Sequence, residues 1–326
     1  MPPPPARRID TDRGVDVHLS VASHPGRARP TNQDSFLVVD MERWRNEPGV
    51  LFERPPSEAD VQYSGEFVLG AWGALLCVAD GMGGAAGGGV ASQIAAETTR
   101  EFMARAWGSV DNPDRGALGR HIREALQRCN TRIRQKIVET PELDGMGTTA
   151  TLAALFGDGL YLAQVGDSRA YLLRGEEIRQ LTRDQSFVQH MVDSGVPRHE
   201  AEESTHRHVL LQALGTQPRV EVDLTYQRLR DGDVIFLCSD GLSNQVRPEE
   251  MARIMGVTPD PAVACRSLVS LANERGGPDN ITLIICAVTG DLLGSPSPED
   301  VVGYQPFRPS ASEDDTVPDR LIEPAG

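Results

Sequence analysis

Twice in this chain a short apolar run ends in Asp-Gly. Ala74-Leu75-Leu76-Cys77-Val78-Ala79 leads into Asp80-Gly81, and Val234-Ile235-Phe236-Leu237-Cys238-Ser239 leads into Asp240-Gly241. Runs of this length, closed by glycine or a polar residue, read as buried strands ending in turns. A carboxylate at such an end is held by a rigid element yet faces out of the core. The adjacent glycine lets a backbone carbonyl reach the same point. Three more acids stand in similar settings, in Asn32-Gln33-Asp34, Gly166-Asp167-Ser168-Arg169 and Gly277-Pro278-Asp279-Asn280. A single Asp-Gly is usually just a turn, and Asp158-Gly159 is read that way, as a hairpin tip. Brought together, the other acids make an oxygen-rich anionic pocket suited to Mg²⁺ or Mn²⁺.

Charge narrows the partners. The 326 residues carry a net charge of −15, of which −6 lies in residues 291–326, so the body is acidic in its own right. Nucleic acid and anionic membranes reward basic patches, and neither is expected as a partner. The five cysteines, Cys77, Cys129, Cys238, Cys265 and Cys286, show no CxxC spacing. Cys77, Cys238 and Cys286 lie within apolar strand patterns and read as small buried hydrophobes, and a reducing cytoplasm is expected. Residues 67–79 form the longest near-apolar stretch, too short for the ~20 residues that span a bilayer. The N-terminus lacks the apolar core of a secretory signal. A soluble, cytoplasmic, monomeric protein is expected.

The patterning divides the chain into a flexible proline-rich segment (1–14), a catalytic domain (15–290) and an acidic disordered tail (291–326). Strands are expected at 15–23, 35–40, 66–70 and 74–79, with 42–65 an inserted loop. Val90, Ile94, Thr98 and Phe102 mark one face of a helix beginning near Gly88, and a second helix fits 116–138. Asn112-Pro113 separates them into an antiparallel pair. Four strands follow at 148–156, 159–166, 168–173 and 177–181, whose short turns imply antiparallel pairing. Residues 182–218 are polar and read as one helix with mobile loops, a flap that selects substrates. Strands at 222–229, 233–239 and 281–288 enclose helices at 248–255 and 261–273. The order gives an α+β fold of antiparallel sheets flanked by helix pairs.

Six motifs in order carry a family resemblance: Arg29-x-x-Asn32-x-Asp34, Ala79-Asp80-Gly81-Met82-Gly83-Gly84, Gly145-Met146-Gly147-Thr148-Thr149, Gly166-Asp167-Ser168-Arg169, Cys238-Ser239-Asp240-Gly241-Leu242 and Gly277-Pro278-Asp279-Asn280. Over roughly residues 15–290 the chain resembles the metal-dependent serine/threonine phosphatases of the protein phosphatase 2C family, nearest their bacterial branch. The resemblance implies a four-layer α-β-β-α sandwich with two Mn²⁺ or Mg²⁺ ions at one end. It implies that Asp80 bridges both ions, that the Gly81 carbonyl binds one, and that Asp240 and Asp279 complete the shell. Asp34 acts near the metals through bound water, Asp167 serves a third, weaker ion, and Arg29 holds the substrate phosphate. Catalysis then rests on Asp34 and Asp80, with a metal-activated water attacking phosphoserine or phosphothreonine. Phosphorylated proteins, and a bacterial serine/threonine kinase whose action is opposed, are the implied partners.

The chemistry needs such an arrangement on its own account. Phosphate monoesters hydrolyse so slowly that accelerations up to ~10²¹-fold are required. Paired metals supply a nucleophile at neutral pH and clamp the attacking and leaving oxygens. A planar guanidinium matches phosphate oxygens with paired donors. No Cys-x₅-Arg loop supports a cysteine nucleophile. Two positions depart from the family pattern: Gln33 stands where many members have Glu, and Met82 where many eukaryotic members have His, which leaves the general acid unassigned. His206 and His208 are read as loop residues. The competing readings are a pseudophosphatase scaffold of the same fold, a phosphatase of an anti-anti-sigma factor, and, least favoured, a two-metal nuclease.

Overall fold

A computed structural model describes residues 14–44, 50–53, 60–83 and 87–309. In chain order the strands are β1 (Asp16–His24), β2 (Ser35–Asp40), β3 (Val50–Glu53), β4 (Val61–Val68), β5 (Ala74–Ala79), β6 (Gly81–Met82), β7 (Gly147–Thr148), β8 (Ala150–Phe156), β9 (Gly159–Val165), β10 (Arg169–Arg174), β11 (Glu177–Gln180), β12 (Asp223–Arg228), β13 (Val234–Cys238) and β14 (Ile281–Thr289). The helices are α1 (Met41–Trp44), α2 (Gly87–Ala106), α3 (Arg115–Glu139), α4 (Phe187–Asp193), α5 (Arg198–Glu202), α6 (Asp240–Ser243), α7 (Pro248–Val257) and α8 (Pro261–Glu274).

Twelve of the strands form two six-stranded sheets, ordered β11-β10-β13-β14-β1-β4 and β12-β9-β8-β5-β2-β3, and β6 and β7 form a small two-stranded one, with antiparallel pairing throughout. Why the strand runs are apolar without alternation follows from their burial on both faces. In β5, Leu75, Cys77 and Ala79 pack against α2 and α3, while Ala74, Leu76 and Val78 face the other sheet. In β13, Val234, Phe236 and Cys238 pack with Met251, Leu268 and other residues of α7 and α8, while Ile235 and Leu237 point inward. Three apolar cores therefore separate four layers, α-β-β-α. The five cysteines are free and buried within them, and burial pushes their thiols up, to about 12 for Cys238 and Cys286.

Several expectations need correction. Residues 42–65 are not a plain loop: they contain α1, β3 and most of β4. β4 is a sheet-edge strand, so only Val61 and Phe67 are buried and its polar residues face outward. Composition therefore showed only its last part. The buried face of α2 is Ala91, Ala95, Thr99 and Met103, one residue beyond the expected stripe. Alanines there permit close approach to the sheet, and Val90, Ile94 and Phe102 pack at its margin. The tight 166–168 connection does not make a hairpin of β9 and β10, because the chain there passes from one sheet to the other. Residues 182–218 hold two short helices, α4 and α5, rather than one.

The acidic tail is corrected too. Residues 291–309 are a strap packed on the body. Phe307 N–H donates to Leu224 O (2.8 Å) and Tyr226 N–H to Gln305 O (2.9 Å), so the strap covers the outer edge of β12. Phe307 is buried against Tyr161 and Tyr226. It also explains Gly119, an unfavourable residue inside a helix: a methyl group there would stand 2.4 Å from the Phe307 ring. Asp300 pairs with Arg230 and approaches Arg174, which itself holds the buried Asp233. Spread over 291–309, these anchors do not form a periodic pattern, and the high charge obscured them. Residues 1–13 and 310–326, the remainder of the two expected flexible ends, lie outside the described residues.

α2 and α3 run antiparallel, as Cys129 beside Ala95 and Thr99 and His121 beside Trp107 require. The His121 ring lies between Phe102 and Trp107, and burial holds its imidazole below the usual range. With the folded value below the unfolded one near 6.5, its contribution is full above about pH 6.5 and is lost as pH falls through the folded value. His121→Phe is therefore expected to lose less stability than the parent between pH 7 and 5. Urea unfolding at both pH values checks this; identical losses would contradict it.

Candidate metal and phosphate site

Strand register brings the expected acids to one end of the sandwich. In the second sheet, Ser35 at the start of β2 pairs with Ala79 at the end of β5, and Ala150 at the start of β8 with Val165 at the end of β9. Asp34, Asp80 and Asp167 therefore leave the sheet on the same rim. In the first sheet, Cys238 at the end of β13 pairs with Arg169 at the start of β10 and lies opposite Leu283 in β14. This puts Asp240 and Asp279 on the matching rim. The two glycines of the Asp-Gly pairs have a tighter reason than carbonyl access. A Cβ on Gly241 would stand 1.9 Å from Asn280 O, and one on Gly81 2.2 Å from Gly88 O.

The acids perturb one another. Asp34 is fully buried; its Oδ2 accepts from Ser239 Oγ at 2.7 Å, and its Oδ1 has no hydrogen-bond partner. Burial, with Asp240 and Asp279 adding repulsion, pushes its carboxyl up to about 7. Asp167 is pushed up to about 8, first by burial and then by Asp240 and Asp184, against the pull of Arg169. Asp80 lies well above the carboxylate range because of burial and then its four neighbours Asp34, Asp240, Asp167 and Asp279. Asp240 is raised by burial and then by Asp279, with Arg169 and Arg29 pulling the other way. Carboxylates this close, Asp34 fully buried and the others half-buried, keep their charge only with compensation.

Arg29 stands at the same rim, but on an acid. Its Nε and Nη2 donate to the two oxygens of Asp279 at 2.9 and 2.7 Å. The side chains are 55% and 34% exposed, so the pair is a weak one that another ligand can replace. Among the described residues, no three His, Cys, Asp or Glu side chains close on one point at ligand spacing. Arg29 holds Asp279. The donor chemistry fits hard divalent cations all the same. Every acid in the cluster offers oxygen, and Asp34 keeps an orphaned buried oxygen.

Other side chains fix these positions, and sequence reading assigned none of them a role. Thr149 Oγ1 accepts the Asp80 N–H (3.0 Å), and Thr148 Oγ donates to Asp80 O (2.8 Å). Arg169 forks onto Asp184, with Nε–Oδ1 at 2.9 Å and Nη2–Oδ2 at 2.6 Å. Asn280 holds the connection that carries Arg29. The available signal was hydroxyl and amide residues at the ends of apolar runs, such as Ser239 and Thr149. His206 and His208 are exposed, His206 lying against the Phe187 ring.

Comparison with known proteins accords with this geometry. A sequence model of the family described as Protein phosphatase 2C matches residues 62–267, more than half the chain. The chain belongs to the protein phosphatase 2C family. Similar members of the protein phosphatase 2C family include serine/threonine protein phosphatase PstP of Mycobacterium tuberculosis, 39% identical over 225 residues. That alignment covers 69% of this chain but 42% of the mycobacterial protein, so the chain spans less than half of that relative. The serine/threonine phosphatase stp of Listeria monocytogenes is 33% identical over 212 residues, 65% of this chain and 83% of the relative. Among solved members, the catalytic domain of a PstP in complex with two manganese ions superposes with a TM-score of 0.65 at 33% identity, covering 84% of this chain and 99% of that one. The α-β-β-α sandwich is therefore shared with solved protein phosphatase 2C structures.

Proposed function

We propose that this chain is a metal-dependent phosphatase that hydrolyses phosphoserine and phosphothreonine in proteins, opposing a serine/threonine kinase. The observation that carries it is the convergence of five strand-end carboxylates, four of them raised by burial and then by one another, beside a two-donor guanidinium. Asp80, Asp240, Asp279 and the Gly81 carbonyl hold two Mn²⁺ or Mg²⁺ ions, and Asp167 a third, weaker one. When bound, the ions neutralise the cluster and supply the nucleophile at neutral pH. Asp34, its Oδ2 fixed by Ser239, orients water at the site through the orphaned Oδ1. Arg29 exchanges Asp279 for the substrate phosphate, whose oxygens suit its paired donors. The relatives named above as serine/threonine phosphatases support the substrate class.

No helix among the described residues is long and apolar enough to cross a membrane. A monomer in the cytoplasm is the reading adopted. The flap reading of residues 182–218 is kept as part of this proposal. The scaffold alternative loses ground because none of the principal acids is missing.

The test is hydrolysis of p-nitrophenyl phosphate and of phosphoserine, phosphothreonine and phosphotyrosine peptides, with Mn²⁺ and with excess chelator. Turnover that depends on Mn²⁺ and prefers the first two peptides is expected. Full turnover in metal-free buffer would overturn the mechanism, and no turnover under any condition would favour the scaffold.

A further inference from the structure

We infer that Asn280 is a positioning residue for Arg29, acting through the β1–β2 connection; the inference rests on the reading that Arg29 holds the substrate phosphate. Residues 25–34 have no regular secondary structure, and Arg27, Ala28, Arg29 and Pro30 are exposed. A guanidinium on such a span is useful only if the span is held at both sides. One buried amide does most of this. Asn280 Nδ2 donates to Pro25 O at 2.8 Å and to Thr31 O at 2.9 Å, and its Oδ1 accepts the Gln33 N–H at 2.7 Å.

An asparagine amide offers two N–H donors and one acceptor oxygen. Here both donors and the acceptor go to backbone groups on either side of Arg29. Only glutamine shares this set, on a stem one methylene longer; aspartate keeps the acceptor but turns a carboxylate toward two carbonyl oxygens, and alanine leaves all three backbone groups unserved. Other ties support the same span: the Arg27 and Ala28 N–H groups on Gly277 O, at 2.7 and 3.2 Å, on the near side of Arg29, and Asn32 Nδ2 on Ser23 Oγ (2.9 Å) and Ser92 Oγ on Gln33 O (2.5 Å) on the far side. Asn280 is the side chain that joins the two sides, through Pro25 before Arg29 and Thr31 and Gln33 after it.

The Asn280 side chain bonds to backbone groups of the β1–β2 connection, so its effect on phosphate binding passes through that connection and Arg29. A misplacement of about 1 Å in a positioning group can reduce rates by about 10²-fold. Asn280→Ala and Asn280→Asp are made in the parent and in Arg29→Ala, and four quantities are measured: KM and kcat for p-nitrophenyl phosphate, inhibition by inorganic phosphate, and Mn²⁺ affinity by calorimetry. The aspartate variant keeps the volume and serves if the alanine variant does not fold.

In the parent, KM and the phosphate inhibition constant are expected to rise about tenfold with Mn²⁺ affinity little changed, and in Arg29→Ala the same substitution should add nothing, the mark of a shared path. Equal losses in both backgrounds, or a loss traced to Mn²⁺ affinity, would overturn the positioning role alone. If Arg29→Ala by itself leaves phosphate affinity intact, the reading of Arg29 falls, and the inference with it.

Discussion

Asp80→Asn is expected to give a metal-free protein that melts higher than the parent yet turns over phosphate monoesters on the order of 10²–10⁴-fold more slowly, the worth of one positioned group. The sign follows from the direction in which Asp80 is shifted. Its carboxyl is raised well above the ordinary range, by burial first and then by four other acids. Such a group favours the fold fully below the unfolded value near 3.9, and that contribution is lost as pH rises through the folded value. At neutral pH the carboxylate that is solvated in the unfolded chain must either take up a proton or carry its charge into the cluster, so Asp80 opposes folding, and the amide avoids that cost while keeping the shape. The same change removes the acid at the centre of the cluster. Mn²⁺ should therefore raise the melting temperature of the parent strongly and of Asp80→Asn weakly. Melting curves with and without Mn²⁺, taken beside steady-state kinetics, check both halves. Wild-type turnover, or a lower metal-free melting temperature, would contradict the assignment.

Removing residues 291–326 is the second large effect: the truncated protein is expected to be poorly soluble or to unfold far more readily. Phe307→Ala alone should cost about 3 kcal/mol, the low end for an emptied phenylalanine site. Against a typical domain stability of about 5–15 kcal/mol, that is a large share. Truncation adds the loss of the Asp300 pairings and of buried Leu293, and it leaves Arg174 and Arg230 without one of their acids. It also uncovers the β12 edge, and an uncovered edge strand templates association with other chains. Solubility and urea unfolding of the two forms decide the matter. A truncated form as soluble and as stable as the parent would mean that the strap rests on the body without supporting it.

What the sequence made legible and what it hid divide by the kind of signal each residue gives. Strands buried on both faces announce themselves as apolar runs, so β5, β13 and β14 and the acids at their ends were readable from composition. Edge strands do not, because one face is wet and polar, and so β4 passed for a loop in its first half. The strap was hidden for a related reason: its anchors, Leu293, Asp300 and Phe307, are far apart in an acidic segment and fit no period. The expected face of α2 was one residue off because large apolar side chains weigh more in a pattern than the alanines that make the close contact. The site acids were found, but Asn280, Thr149 and Ser239 were not given roles. Their work is done on groups of residues distant in sequence, and only the fold brings those within reach.

The pairing of Arg29 with Asp279 makes two affinities inseparable. If one carboxylate serves a guanidinium in one state and a cation in another, each ligand competes against the same internal bond. A cation that takes Asp279 releases the guanidinium, and an oxyanion that takes the guanidinium releases Asp279. Linkage then requires that each strengthen the other by the same factor. Inorganic phosphate, the product of the proposed reaction, should accordingly tighten the hold on metal, and metal should slow the departure of phosphate. The strength of this reciprocity is set by an exposed ion pair, worth about 1 kcal/mol or less, which corresponds to a factor of about five or less. So small a factor keeps the two events in step without trapping the product.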